Sequence, residues 1–380
     1  MKKIIITGGH LTPALAVIEE LKKKKEWQIY YLGRKFSLEG KKVLSRESEI
    51  IPKTGVVFVP VISGRLQRKF TLHTLPSLLR IPAAFFQSWY LVRKIRPDLV
   101  VSFGSYVSTP VVIAAWLLGI PIVSHEQTVI QGLANKINAR FSKVIAVSHK
   151  ESLNFFPKNK AIFTGNPIRS QFFNPQISDF SKGPEKVCKD LNLPLIYITG
   201  GNQGAQIINR TIWESLPVLL KKYVLVHQTG RLDYSKGIKR YCQLETNLKK
   251  RYFVKDFLSS EEVAWVLNRA NLVISRAGAN ITYELGVLGK TAILIPLPIS
   301  GGGEQEKNAD FLKNLGQAEV LAQENLSSSK VVSLVNEIFS HYSQYQYKIT
   351  ENSEFFPVDG ASRLVKVIYD LLQEKIKLKI

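Results

Sequence analysis

The chain is poor in the residues that build disulfides and metal centres. Its 380 residues include only two cysteines, Cys188 and Cys242, without CxxC spacing. We therefore expect no disulfide framework, and a reducing cytosol fits. His, Cys, Asp and Glu do not cluster at metal-ligand spacing, and no DxD string is present. Long hydrophobic runs are lacking too. The longest, Val111 to Val123, is shorter than the roughly 18 residues of a spanning helix, and Gly119 with Pro121 divides it into a helix and a strand. The opening MKKIIITGGH sets two lysines before an apolar triplet too short for a signal peptide, so no export signal is expected and the protein should be soluble or peripheral. Neither the GxxxxGK[ST] of a P-loop nor a GxGxxG followed by an acid at dinucleotide spacing occurs, which disfavours simple ATPases and dehydrogenases.

Acidic side chains are the last shortage. Lys plus Arg number 52 against 30 Asp plus Glu, a net charge of +22, and residues 1–100 hold 19 basic and 7 acidic side chains. More than half of the excess thus lies in roughly the first quarter, which points to an anionic partner: a lipid surface, a nucleic acid or a phosphorylated substrate. A nucleic acid is supported by charge alone, without a reader motif.

What is present is an α/β alternation. With 45% hydrophobic residues, the length suffices for two cores. Apolar, β-branched runs at Ile29 to Leu32, Val57 to Val61, Leu99 to Ser102 and Ile122 to Ser124 alternate with helical spacing such as Val107 to Leu118. After a Pro- and Asn-bearing connector, Thr164 to Pro175, the pattern restarts with Leu195 to Ile198, Val224 to His227, Leu272 to Ile274 and Thr291 to Ile295. Two Rossmann-like halves with parallel sheets follow. The expected bounds are 1–167, completed by a terminal helix within 358–380, and 168–357.

Three glycine turns stand between a strand and a helix: TGGHLTPALAV (Thr7 to Val17), TGGNQGAQIIN (Thr199 to Asn209) and SRAGANITYELGVLGKTAILIPLP (Ser275 to Pro298). In the last, Gly278 lets backbone approach a ligand, and a helix opening near Asn280 aims free N–H groups and a positive dipole at a phosphate. Glu284, about one turn further on, can accept from two vicinal ribose hydroxyls. A sugar nucleotide suits that combination.

These motifs, with SFGSYVSTPVVIAAWLLGIPIVSHEQ (Ser102 to Gln127), GNPIR (Gly165 to Arg169) and EQEKNA (Glu304 to Ala309), resemble the lipid I N-acetylglucosaminyltransferases of peptidoglycan synthesis, the MurG family within glycosyltransferase family 28. The resemblance runs through nearly the whole chain. It implies a GT-B fold, in which two Rossmann-like domains face a cleft, the second holding UDP-GlcNAc and the first the lipid I acceptor. By position it gives Glu284 to the ribose, the backbone of Ala279, Asn280, Ile281 and Thr282 to the diphosphate, and the Leu258 backbone to uracil. Arg169, Asn202, Gln305 and Asn308 would hold the diphosphate or the sugar hydroxyls. Thr7, Gly8, Gly9 and His10 would line the facing side, and Thr128 stands where the family carries a substrate-binding Asn. The chain departs from the family pattern elsewhere as well. Ile5 and Ile6 replace two glycines, Ser105 replaces another, Asn202 stands for a serine, and Gly301 to Gly303 replace a His-rich approach to Gln305.

The implied reaction is an inverting displacement at the anomeric carbon. His10 is the first candidate base, because imidazole titrates near neutrality, and Glu126 is the reserve. The diphosphate charge would be met by the helix at Asn280 and by Arg169, so neither metal nor cofactor is expected. The segment Thr71 to Ile95 combines Leu75, Leu78, Leu79, Phe85, Phe86 and Trp89 with Arg80, Arg93 and Lys94, a pattern suited to anionic headgroups as well as to an ordinary core helix. A peripheral position on the cytoplasmic face of the plasma membrane follows from the resemblance, with other cell-wall synthesis proteins as partners. Two alternatives remain open at this point: a family 28 enzyme with another lipid acceptor, and a degenerate sugar-nucleotide-binding protein.

Overall fold

The computed structural model of the chain describes residues 1–36, 44–62, 74–201, 203–299 and 302–377, with backbone alone for 74–80 and 374–377. It divides into two compact units, Met1–Arg169 with Pro357–Ile380, and Ser170–Phe356.

In the first unit, strands β1 (Lys2–Thr7), β2 (Trp27–Gly33), β3 (Val57–Pro60), β4 (Leu99–Ser102), β5 (Ile122–Glu126), β6 (Val144–Val147) and β7 (Ala161–Phe163) form one sheet. Its order is β3-β2-β1-β4-β5-β6-β7, with parallel pairing throughout. Between the strands run α1 (Leu11–Lys22), α2 (Arg46–Ile50), α3 (Thr74–Ile95), α4 (Ser108–Leu117) and α5 (Leu133–Phe141). The triplet Ile4, Ile5, Ile6 shows why a buried parallel strand reads as a continuous apolar run. Its side chains alternate between faces: Ile4 and Ile6 join Val17, Ile18 and Leu21 of α1 in one core, while Ile5 joins Val92, Val111 and Val112 of α3 and α4 in the other.

The second unit repeats the plan. Strands β8 (Leu195–Thr199), β9 (Val224–Gln228), β10 (Tyr252–Lys255), β11 (Leu272–Ser275), β12 (Thr291–Leu294) and β13 (Ala318–Val320) form a parallel sheet in the order β10-β9-β8-β11-β12-β13. Its helices are α6 (Asp179–Leu191), α7 (Gln206–Leu219), α8 (Tyr234–Cys242), α9 (Thr246–Lys249), α10 (Ser260–Arg269), α11 (Ala279–Val287), α12 (Glu304–Asn314), α13 (Ser328–Ser340) and α14 (Tyr342–Glu351). Ile208, Ile212 and Leu216 of α7 and Val331, Val335 and Ile338 of α13 close the core over Ile196, Ile198 and Ile274.

The terminal helix α15 (Gly360–Lys377) belongs to the first unit. Leu364, Val365, Ile368, Leu371 and Leu372 enter the α1 core, each burial contributing about 2 kcal/mol before entropy is counted. The Trp27 indole N–H donates to Tyr369 Oη at 2.8 Å. At the start of the helix a Cβ on Gly360 would lie 2.7 Å from the Asn166 carbonyl oxygen, so the close approach requires glycine there.

Candidate active site

Both sheets reverse their strand order once, between β1 and β4 in the first unit and between β8 and β11 in the second. Crevices outside the carboxyl ends of strands at such reversals are where open α/β sheets take ligands. The sequence motifs fall at those places: Thr7 to His10 follows β1, Thr199 to Gly204 follows β8, and Ser275 to Gly278 follows β11.

In the first unit the turn after β1 lies on the turn after β4. Gly9 N–H donates to the Gly104 carbonyl at 3.3 Å. Gly8 has φ +139°, and a Cβ there would meet the Phe103 backbone at 2.8 Å, so a side chain is barred twice over. The Thr7 hydroxyl is buried and donates to the Leu32 carbonyl at 2.8 Å. His10 precedes α1 at the N-cap position without capping it; it is partly buried, and desolvation lowers its pKa to about 4, so it does not titrate near neutrality as the sequence suggested.

Glu126 closes β5 and is almost wholly buried. One carboxylate oxygen accepts from the Thr128 N–H at 3.2 Å and its hydroxyl at 2.8 Å; the other accepts from Gly132 N–H and Asn135 Nδ2, both at 3.0 Å. Four donors fill the acceptor capacity of a carboxylate. Gly132 is the N-cap of α5 and has no side chain to cap it, so Glu126 serves as that helix's anion. Desolvation raises the Glu126 pKa, with the four hydrogen bonds acting against that rise. The Thr128 hydroxyl is turned inward, onto Glu126 and the Ile130 carbonyl. His125, fully buried, lies 3.2 Å from the Gly165 carbonyl through Nε2, and burial lowers its pKa to about 4.

In the second unit α11 opens without a side-chain cap, its N-cap Gly278 being extended at φ −69°, ψ 149°. Thr282 N–H bonds back to the Gly278 carbonyl at 3.1 Å, so the N–H groups of Ala279, Asn280 and Ile281 precede the first intrahelical bond. The Thr282 hydroxyl also folds back onto the Gly278 carbonyl, at 3.0 Å. Asn280 Oδ1 is buried with no hydrogen-bond partner among the described residues. Glu284 sits on the same helix, 7% exposed. Asn308 of α12 braces this turn by donating to the Ala277 carbonyl at 3.2 Å, and its Oδ1 has no partner among the described residues. Gln305 Oε1 accepts from Leu297 N–H at 3.0 Å. Leu258 is buried, with its N–H directed to Gln228 Oε1 at 3.3 Å.

Two clusters therefore gather at strand ends: Thr7, Gly8, Gly9, His10, Glu126 and Thr128 in the first unit, and Leu258, Ala279 to Thr282, Glu284, Gln305 and Asn308 in the second. Arg169 is the last residue of the first unit before the chain passes into the second. Asn202 and Gly301 lie outside the described residues, as does the Arg80 side chain. Sequence reasoning missed three supporting residues. Asn135 joins the His125 carbonyl to Glu126, at 3.1 and 3.0 Å. Arg276 donates to the Ile295 and Pro296 carbonyls, at 3.1 and 3.2 Å, and to Gln323 at 2.6 Å. Gln228 ends β9. Arg276 could have been noticed as a charge between a buried strand and a glycine turn, and Gln228 as an amide closing an apolar strand. Among the described residues no three His, Cys, Asp or Glu side chains are grouped to hold a metal ion.

Comparison with known proteins bears on these clusters. Residues 5–147 match the glycosyltransferase family 28 N-terminal domain and residues 195–364 its C-terminal domain. A Bacillus cereus protein named UDP-N-acetylglucosamine–N-acetylmuramyl-(pentapeptide) pyrophosphoryl-undecaprenol N-acetylglucosamine transferase 2 is 34% identical over 351 residues, 91% of this chain and 94% of its own. A Clostridium botulinum transferase of the same name, without the numeral, is 34% identical over 374 residues, covering 96% of this chain and 99% of its own. Among solved structures, Acinetobacter baumannii MurG superposes with a TM-score of 0.68 at 23% identity, over 98% of this chain and 100% of that one. The UDP-GlcNAc 2-epimerase of Neisseria meningitidis, solved bound to UDP-GlcNAc, gives 0.67 at 15% identity, over 97% and 100%. At those identities the two structures speak for the fold alone.

Proposed function

This chain belongs to glycosyltransferase family 28, and from that premise we propose that it moves N-acetylglucosamine from UDP-GlcNAc to the 4-hydroxyl of the N-acetylmuramyl unit of undecaprenyl-diphosphate-MurNAc-pentapeptide. The product would be lipid II of peptidoglycan synthesis. The names of the relatives support the substrate pair. The observation that carries the donor assignment is α11: an uncapped helix start at a strand-order reversal, with a buried carboxylate on the same helix. Ala279, Asn280 and Ile281 would direct N–H groups at the diphosphate, and Glu284 would accept from the ribose hydroxyls. The Leu258 segment is assigned to uracil; Arg169, Asn202, Gln305 and Asn308 are assigned to the diphosphate and the sugar.

The acceptor is assigned to the first unit. Its 4-hydroxyl oxygen attacks the anomeric carbon, the bond from that carbon to the diphosphate oxygen breaks, and UDP leaves with the electron pair; the α-linked donor gives a β-linked product. In this reading the hydroxyl proton goes to His10, the imidazole at the turn after β1; it is neutral and so able to accept, although its lowered pKa makes it a weaker base than a near-neutral histidine. Glu126, surrounded by its four donors, suits ordering of the 127–135 segment better than proton transfer. Gly8 and Gly9 give close backbone approach, while Thr7 and Thr128 support the turns. Positive charge for the departing diphosphate comes in this reading from the α11 dipole and Arg169, so no divalent cation is assigned a step.

The test is incubation with labelled UDP-GlcNAc and lipid I, with other polyprenyl and diacylglycerol acceptors in parallel, with and without chelator. Labelled lipid II that persists under chelation is expected. Transfer to another lipid alone would replace the acceptor, and chelator-sensitive turnover would overturn the metal-free step.

For the membrane we propose peripheral docking on the cytoplasmic face through α3. No helix of the described residues is long and apolar enough to cross a bilayer. On α3 the residues Ala84, Ser88 and Val92 are buried, whereas Phe86, Tyr90, Arg93 and Lys94 are exposed, as is Arg96 just past its end. The buried stripe makes it a core helix, and the opposite face keeps aromatic and basic groups for anionic headgroups. Glu substitutions at Arg93, Lys94 and Arg96 should abolish cosedimentation with anionic liposomes; undiminished binding would remove this face from the account.

A further inference from the structure

β9 ends in His227 and Gln228 and is followed by Thr229 and Gly230, four consecutive residues that tie together segments far apart in sequence. His227 is fully buried between two partners, Asn209 Oδ1 at 3.0 Å from Nε2 and Tyr252 Oη at 2.9 Å from Nδ1. Because an amide oxygen only accepts, the imidazole proton belongs on Nε2, and Nδ1 receives the Tyr252 hydroxyl. Asn209 Nδ2 in turn donates to the Thr229 carbonyl at 2.8 Å. That carbonyl oxygen would lie 2.1 Å from a Cβ on Gly204, and the Gln203 carbonyl oxygen 2.4 Å from a Cβ on Gly230. The turn after β8 thus rests on the end of β9, backbone against backbone.

Gln228 makes the other link. Its Nε2 donates to the Gly201 carbonyl at 3.2 Å, while Oε1 accepts from Leu258 N–H and from the Tyr197 hydroxyl, each at 3.3 Å. The side chain is 3% exposed, so solvent does not replace these bonds cheaply. One amide therefore holds the glycine turn after β8 and the segment between β10 and α10 in a fixed relation at the same edge of the sheet. We infer that Gln228 is a positioning residue of the donor site, aligning the Gly201 turn that faces the diphosphate with the Leu258 segment that faces the base; this rests on the donor assignment made above. Gln228 itself touches neither ligand group in this scheme.

An amide has both a donor and an acceptor, a carboxylate only acceptors, and a thioether of similar length neither at useful strength. Gln228→Glu should keep the Leu258 link and lose the Gly201 link, while adding a negative charge beneath the diphosphate turn. Gln228→Met should lose both. The experiment titrates the full chain with UDP by calorimetry and with uridine by NMR, and measures the KM of both substrates, with thermal midpoints recorded throughout. For Gln228→Glu, UDP affinity should fall about tenfold while uridine affinity stays within about twofold; for Gln228→Met both should fall about tenfold. The KM for UDP-GlcNAc should rise and the KM for the lipid acceptor should not. A variant that fails to fold is replaced by Gln228→Asn, a methylene too short to reach both partners, for which both losses are expected. Affinities equal to the parent's in the variants, or a parallel loss that includes the lipid acceptor, would overturn the inference alone. Absence of UDP uptake by the parent chain would remove the donor assignment and this inference with it.

Discussion

The two units share the order of their first six strands, the first sheet adding a seventh, and differ in how one glycine-capped helix start in each is completed. In the first, α5 begins at Gly132, which has no capping side chain, and Glu126 supplies the missing anion by accepting from Gly132 N–H and Asn135. In the second, α11 begins at Gly278, again without a side-chain cap. One unit carries its own carboxylate at a glycine-capped helix start; the other presents such a start without a capping side chain. Of these two glycine starts only that of α11 keeps its N–H groups free of a side-chain cap, which is what the proposed donor site requires; α1 and α4 of the first unit also open without a side-chain cap.

The largest effect that would sharpen this contrast is with pH. In the first unit burial lowers His10 and His125 to about 4 and His149 to about 3, whereas in the second it lowers His227 to about 3. Each of these folded values lies below the ordinary 6.5, so the unfolded chain takes up protons first as the pH falls. Stability is therefore complete above 6.5 and lost between 6.5 and the folded values, by up to about 1.4 kcal/mol per pH unit for each group. Glu126, raised by burial, titrates in the opposite sense and offsets part of the loss. Hydrogen exchange corrected for its intrinsic pH dependence should show β5 and β6 losing protection between pH 6.5 and 4 more steeply than β9 and β10. Equal slopes would contradict the uneven distribution of neutral imidazoles.

A smaller effect separates the two carboxylates. Glu126→Ala takes the acceptor from the Thr128 and Gly132 N–H groups, while the Thr128 hydroxyl keeps the Ile130 carbonyl and Asn135 keeps the His125 carbonyl, and should cost about 3 kcal/mol of stability with UDP-GlcNAc affinity unchanged. Glu284→Ala should instead weaken UDP-GlcNAc binding on the order of a hundredfold, or about 2.7 kcal/mol, with a smaller change in thermal midpoint. Calorimetry and thermal unfolding on both variants check this; Glu284→Ala with parental affinity would remove the ribose role.

The smallest effect would erase the contrast itself. Nothing lies within 4 Å of a Cβ placed on Gly278, and its φ suits any residue. Gly278→Asp should cap α11 and raise stability by about 0.5 kcal/mol, while UDP affinity falls about tenfold because the internal carboxylate competes for the same N–H groups. A stabilised variant with undiminished UDP binding would show that the helix start is not where the diphosphate sits.

Much of the fold was legible. Apolar, β-branched triplets such as Ile4 to Ile6 and Leu272 to Ile274 announced central parallel strands because both of their faces are buried. The short strands β6, β7, β10 and β13 were not singled out; β7, with burial varying along three residues, carries little periodic signal. For the site, the glycine turns and Glu284 were visible as spacing. The engagement of Glu126 by Thr128, Gly132 and Asn135 was not, nor were the links made by Arg276 and Gln228, since each depends on which segments the sheet order brings together.

The sequence by itself determined the alternation of strands and helices, the restart after Pro175, the three glycine turns and the basic excess, all features encoded within a few residues or in composition. The tertiary structure decided where each sheet reverses, that α15 returns to the α1 core 342 residues after Trp27 to meet it through Tyr369, and which helix start already holds an anion. Hydrogen bonds between residues 27, 30 or 31 apart, such as Gln228 to Gly201, Leu258 to Gln228 and Asn308 to Ala277, have no local signature. Their partners are chosen by the packing of whole strands.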